Sequence, residues 1–367
     1  MAVERPAGKF LWVNNLTVSV LRLAGYDLNC CSAASTSSSS PSPSSPLLAS
    51  FVSAITTAAH EIDHSTNTGA DASPVAAGSM RQLPLPADLE PTRALLERYS
   101  GIPAGDVARH IYRIRDRLWD VYPDPCVGRF RFASLDFAAD AYYQVVLSKL
   151  LRAQKTEKGS ETRLLDVGCC VGQVLRKLAF DGVESSRLFG TDIEPRFLDI
   201  GYDLFRDRET FRGEFAFGDL LNDDEYSNND DIDNGDGDDT LDVLDGKMTF
   251  VHATSFFHLF TWDDQVRAAS RIVRFLRHTD NNPDDNDNDA MIFGRQVGTV
   301  APRANGRAGS DKVYLHDARS WQGLWDEVGA RTGTRWRATM RPTETIQTGA
   351  GGVESSLRKM SFCVLRG

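Results

Sequence analysis

The chain has 367 residues, of which 41% are hydrophobic and 25% charged, with a formal net charge of −10. This is the composition of a globular protein with a full core, neither a disordered nor a membrane chain. The acidity is local: 222–245 carries eleven acidic residues and 280–289 five, neither with a Lys or Arg, and the remainder is mildly basic at +6.

No acidic or basic partner follows from such a balance. No Lys/Arg stripe with interleaved aromatics appears, so nucleic acid is not an expected partner. Six cysteines include the adjacent pairs Cys30-Cys31 and Cys169-Cys170 and no C-x-x-C spacing. That speaks against a metal site and a disulfide framework, and it fits a reducing, cytoplasmic compartment. Asn14, Asn15 and Arg22 interrupt the apolar start, so no signal peptide is expected. No stretch reaches the roughly 18 uninterrupted apolar residues of a membrane span.

Taken in chain order, 1–86 reads as a disordered, low-complexity tail, with "SAASTSSSSPSPSSPLLAS" at 32–50 and room for one short helix near 48–60. Its apolar content is too low to offset ordering entropy. Residues 87–160 read as an N-terminal helical cap: two helices within 92–121, broken at Gly101-Ile102-Pro103, and a third at 137–153. From 161 to 367 strands and helices alternate. "TRLLDVG" is a strand, with a helix over 172–181; "RLFGTDI" is the next, with a helix over 195–207. "EFAFGDL" and "MTFVHATS" are strands, and "WDDQVRAASRIVRFLR" is an amphipathic helix. "AMIFGRQVG" is the fifth strand, "SWQGLWDEVGARTG" a helix stopping at Gly333, and "TRWRATMR" and "RKMSFCVLR" two closing strands. Residues 222–242 and 279–289 are expected to be acidic disordered loops. The first is no EF-hand, because Gly235 stands where the third ligand belongs.

This alternation predicts an α/β fold: a mostly parallel seven-stranded sheet, helices on both faces, and an antiparallel hairpin at its C-terminal edge. Ligands of such sheets bind outside the carboxyl ends of the strands. There lies "LLDVGCCVGQVLRKLAFDG", 164–182. It is not G-x-x-x-x-G-K-[ST], which rules out a P-loop. Gly168, Cys170 and Gln173 stand where a dinucleotide fingerprint needs three glycines. What is present is D-x-G-x-C-x-G, running from Asp166 through Gly168, Cys169 and Cys170 to Gly172 and Gln173. It is close to the D/E-x-G-x-G-x-G that places S-adenosylmethionine after a first strand. Gly168 lets the backbone approach the methionyl part without a Cβ clash, and Asp166 orients the turn or accepts from the cofactor's amino group. Asp192, with Ile193 beside it, ends the second strand 26 positions on, where a carboxylate accepts ribose hydroxyls. Asp219, followed by Leu220, ends the third, suiting an exocyclic amine and an adenine ring.

These runs, together with "YPDPCVGRFRF", "VHATSFFHLFTWDDQ", "FGRQVG" and "WQGLWDEVGARTGTRW", resemble a family of fungal class I S-adenosylmethionine-dependent methyltransferases from clusters for meroterpenoids and other secondary metabolites. The resemblance covers 92–365 and includes the Asp-x-Gly-Cys-Cys run with its Gly-Gln. It implies a Rossmann-like methyltransferase fold and a small-molecule acceptor. Several members of the family turn a carboxyl group into a methyl ester. The expected acceptor is thus an apolar carboxylic acid or, second, a phenol. A non-catalytic binding protein that kept the fold is the alternative, and the trio Asp166, Asp192 and Asp219 speaks for the enzyme.

A carboxylate acceptor needs no general base, whereas a phenol is helped by a His. His252 is expected to line the cofactor site and His258 the acceptor site. Arg295, with Gln296, is expected at the end of the fifth strand, holding an acceptor carboxylate. The run at 126–132 is expected as a lid with Arg129 or Arg131 near the methionyl carboxylate, and part of the cluster Phe256, Phe257, Leu259, Phe260 and Trp262 as an apolar acceptor wall.

Overall fold

A computed structural model describes residues 83–156, 162–222, 240–277, 290–300, 313–345 and 356–367. The tail to residue 82, the segment 223–239 of the first acidic loop and all of the second lie outside the described residues.

Strands β1 (Leu164–Val167), β2 (Leu188–Asp192), β3 (Glu214–Phe217), β4 (Phe250–His252) and β5 (Met291–Thr299) run parallel in the spatial order 3-2-1-4-5. The closing hairpin extends the order to 3-2-1-4-5-7-6, with β7 (Leu357–Arg366) antiparallel between β5 and β6 (Trp336–Thr345). The last strand is therefore internal, and β6 forms the edge. All residues of β1 and β2 are buried, the burial expected of central strands covered on both faces. The sheet is that of a class I methyltransferase fold.

Helices α1 (Glu90–Arg98), α2 (Val107–Val121) and α3 (Ala141–Ala153) form the cap. In α2, Val107, Ile111, Ile114 and Leu118 recur at helical spacing, and none is more than 1% exposed. That face packs on α5 (Arg196–Phe205), where His110 Nε2 lies 2.9 Å from the Leu204 carbonyl oxygen. Gly101, at φ 64°, makes the break between α1 and α2. Together with α4 (Gln173–Phe180) and α5, the cap shares one continuous core with one face of the sheet. The opposite face packs on α6 (Trp262–Phe275) and α7 (Ala318–Thr332). A capping box between Asp317 and Ser320 starts α7, and Gly333 at φ 65° ends it.

The first acidic loop ends earlier than its composition implies. Thr240–Leu244 is a 3-10 turn, in which Leu241 and Leu244 are buried in the second core. Asp242 and Asp245 both pair with the buried Arg271 of α6. A run counted as solvated charge thus closes on two apolar anchors, whose burial outweighs the flanking acids. Among the described residues no helix is long and apolar enough to cross a membrane, and no cluster of three His, Cys, Asp or Glu side chains could hold a metal ion.

Candidate functional site

At the carboxyl end of β1 the chain takes three left-handed residues in quick succession: Gly168 (φ 67°), Cys170 (φ 49°) and Gly172 (φ 69°). The amides of Gly168 and Cys169 both donate to the Thr191 carbonyl, at 2.8 and 3.0 Å, which draws the turn onto β2. A non-glycine residue in this region costs roughly 1–2 kcal/mol. Cys170 is held there by its own amide, which donates to Asp192 Oδ2 at 2.8 Å. The Glu194 amide donates to Asp192 Oδ1 at 3.0 Å. Asp192 is 3% exposed; burial raises its carboxyl to about 6 against the opposing pull of these amides.

Beneath the turn runs a buried polar chain. Asp166 Oδ1 lies 2.7 Å from His252 Nδ1, and His252 Nε2 lies 2.7 Å from Thr254 Oγ1. Thr254 Oγ1 also accepts from the Arg295 amide at 3.1 Å. With that lone pair taken, the hydroxyl proton is available for Nε2, and Nδ1–H then donates to Asp166. Asp166 and His252 are 3% and 2% exposed. The ring of His252 packs between Phe137 and Phe293, at 6.0 and 5.1 Å. His252 therefore lies in the support of the turn and is absent from the cleft wall. The parallel register that sets Asp166 beside His252 is a long-range feature.

A second buried network braces α4. Arg176, fully buried, donates to both carboxylate oxygens of Asp207, at 2.9 and 3.2 Å. Tyr99, just beyond α1, donates to the same carboxylate at 2.9 Å. The rings of Tyr202, Phe205, Phe211 and Phe215 surround the guanidinium at 4.1–5.5 Å. A Cβ at position 172 would strike Arg176 Nη1, so the turn needs glycine there for space as well as for φ.

Over the turn lies a cleft. Gly168, Cys170, Asp192 and Phe197 form its floor; Tyr122, Asp124, Cys126, Val127 and Phe132 form its roof. The run at 126–132 does cover the glycine turn. Arg131 feels the charges of Asp136 and Arg295, and neither it nor Arg129 is in the lining. Asp124 carried no sequence signal beyond its place before a proline, where it reads as a turn residue.

The remaining expected site residues are dispersed. Ile193 is 47% exposed beside Asp192. Gln173 opens α4 at 2% exposure, and its amide oxygen has no partner. Asp219 caps its own turn, accepting from the Leu221 amide at 2.9 Å. Leu220 packs into the second core at 6% exposure. Cys169 and Cys170 have thiols pushed upward by burial and by Asp192, which makes them poor nucleophiles. His258 is buried on the 3-10 turn Phe257–Leu259, and Phe257 packs on Trp321, Trp325 and Phe362 as core. Arg295 is in the middle of β5, because β7 pairs along the whole strand and carries it to Thr299. Gln296 is its neighbour on the strand and faces the opposite side, so the two cannot share one carboxylate.

The charged side chains of the cleft lining are the two carboxylates Asp124 and Asp192, with no basic residue among them. A dinucleotide's phosphates would be repelled there, whereas the sulfonium and ammonium of S-adenosylmethionine are complemented. The left-handed turn at Gly168 and the carboxylate at the end of β2 suit the same molecule.

Comparison with known proteins agrees. Residues 82–133 match a family described as the meroterpenoid methyltransferase N-terminal domain, and 165–279 a methyltransferase domain. The roof of the cleft falls in the first and its floor in the second. The chain is 40% identical over 255 residues to O-methyltransferase phiE of a fungal species, covering 69% of this chain and 76% of that one. It is 34% identical over 292 residues to O-methyltransferase atr3 of Stereocaulon alpinum, covering 77% and 74%. To the asnovolin E/chermesin D methyltransferase nvfJ of Aspergillus novofumigatus it is 33% identical over 250 residues, covering 67% and 78%. Fold, cleft and relatives together place the chain in the family of fungal S-adenosylmethionine-dependent methyltransferases of secondary metabolism.

Proposed function

We propose that the chain methylates a carboxylate oxygen of a small apolar acid, giving its methyl ester. The observation that carries this reading is the state of Arg295. It is 5% exposed, its Nε has no partner, and Asp136 approaches its Nη2 only at 3.5 Å. Arg131 lies in the same charge cluster, also with an unpartnered buried Nε, and its guanidinium is pushed down by burial against the pull of Asp136. The buried Arg295 and the half-buried Arg131 thus both feel the one carboxylate of Asp136, an arrangement that an anionic ligand would complete. The names of the relatives phiE and atr3 support oxygen as the acceptor atom.

The cofactor, when bound, supplies an electrophilic methyl carbon on a positive sulfur that departs with the bonding pair as a neutral thioether. The chain's own part is positional. Arg295 and Arg131 hold the acceptor carboxylate, whose oxygen lone pair forms the new bond, and no proton has to be removed. The roof from Tyr122 to Phe132 limits water at the cleft, and the Asp192-clamped turn fixes the donor side.

Arg295→Met should raise KM for the acid about a hundredfold, the loss of two charge-assisted bonds of roughly 1.5 kcal/mol or more each. KM for S-adenosylmethionine should stay within about twofold. An unaltered acid KM would overturn the role of Arg295. At saturating S-adenosylmethionine the rate should also be flat across the histidine range, about pH 6–7. A basic limb there, abolished by His258→Ala, would identify a phenolic acceptor instead.

A further inference from the structure

We propose that Asp124 of the cap, and not Asp166 of β1, receives the α-ammonium group of S-adenosylmethionine. The inference rests on the cofactor and is independent of which acceptor is methylated.

Asp124 follows α2 and precedes the helical turn Pro125–Gly128. Its Oδ1 accepts from the Cys126 amide at 2.7 Å, capping that turn. It is 7% exposed and makes no ion pair among the described residues; Arg129 acts on it more weakly than burial or the Cys126 hydrogen bonds do. Burial pushes its carboxyl upward, and hydrogen bonds from Cys126 oppose the shift. The side chain lines the cleft directly across from Gly168 and Cys170. A carboxylate that is buried and unpaired is costly in an isolated fold, and the cost is offset when a ligand brings the missing cation.

Asp166 stands in the sequence position suited to that ammonium, but its Oδ1 is engaged by His252 at 2.7 Å and it does not belong to the cleft lining. Of the two carboxylates that do line the cleft, Asp192 already accepts two backbone amides, one on each oxygen. Asp124 accepts from the backbone amide and the side chain of Cys126 alone, and has no basic partner among the described residues. The cofactor's ammonium is its permanent cation, retained after the methyl has left; the sulfonium is the charge that disappears in the reaction. A carboxylate on the roof that binds the ammonium ties cap and turn together with donor and product alike.

The test is calorimetric and needs no acceptor. Asp124→Asn removes the charge and keeps an oxygen to cap the turn, and Asp124→Ser guards against a fold-specific defect of the amide. Each is titrated with S-adenosylhomocysteine, which has the ammonium but no sulfonium, and with 5′-methylthioadenosine, which has neither. Binding of S-adenosylhomocysteine by the wild type establishes the cofactor site independently, so the variants read on Asp124 alone. The expected result is a loss of about tenfold or more for S-adenosylhomocysteine, as for one charge-assisted hydrogen bond, with methylthioadenosine within about twofold. Unchanged affinity for S-adenosylhomocysteine would overturn the proposal. An equal loss for both ligands would overturn it too, and would make Asp124 only the cap of its own turn.

Discussion

Asp207→Ala is expected to destabilise the protein by about 3–5 kcal/mol, the usual effect of removing one partner from a buried ion pair. The carboxylate is 3% exposed and receives two hydrogen bonds from the fully buried Arg176 and one from Tyr99. Removing it leaves a guanidinium among four aromatic rings with no counter-charge. Those rings offset part of the desolvation through their π faces, but each such contact is worth only about 0.5–2 kcal/mol. The double replacement Arg176→Met/Asp207→Leu should recover much of the loss, since an apolar pair leaves no lone charge. Urea melts followed by circular dichroism would measure both. A single-variant loss below about 1 kcal/mol would mean that the pair is solvated in solution.

Asp192→Ala is expected to weaken S-adenosylhomocysteine about a hundredfold. Two effects act together. The carboxylate faces the cleft, and it also holds the Cys170 and Glu194 amides that shape the glycine turn. At roughly 1.5–3 kcal/mol per charge-assisted bond, loss of two such interactions reaches that factor. The pH dependence adds an opposed pair of trends. The Asp192 carboxyl is raised from 3.8 to about 6 in the fold. The free protein therefore takes up a proton on acidification where the unfolded chain does not. Asp192's contribution to unliganded stability rises as pH falls from about 6 toward 3.8. Cofactor affinity should move the other way, since the protonated acid is the poorer acceptor. Titration between about pH 7 and 5 should show the affinity loss in the wild type, centred near pH 6, where the raised Asp192 carboxyl takes up its proton. Asp192→Asn should flatten it. A pH-independent affinity in the wild type would contradict the assignment.

How far these features could be read from the chain depends on the range of the interaction concerned. The alternation of apolar runs and helical faces was enough for the five parallel strands, the helices between them and the closing hairpin. Asp192 was legible because strand end, carboxylate and helix start follow one another in sequence. What depended on pairing across the chain was not. The length of β5, and so the mid-strand place of Arg295, is set by its nine-residue pairing with β7. The partnership of His252 with Asp166 follows from the register of β1 on β4. Leu220 and Leu241 show the limit of local composition: each borders an acidic, polar run, and each is drawn into the second core by helices distant in sequence. Asp124 resembled any residue opening a turn. Only the folding of the cap onto Gly168 and Cys170 gives it a place in the cleft.

The chemical nature of the product separates ester formation from phenol methylation. The protein would be incubated with deuteromethyl S-adenosylmethionine and a panel of small apolar carboxylic acids, each matched by a phenol of the same skeleton. Products would be resolved by liquid chromatography and mass spectrometry before and after mild alkali. Label is expected on the acids alone, released as deuterated methanol by alkali, as a methyl ester requires. Label that appears on the phenols and survives alkali would contradict it.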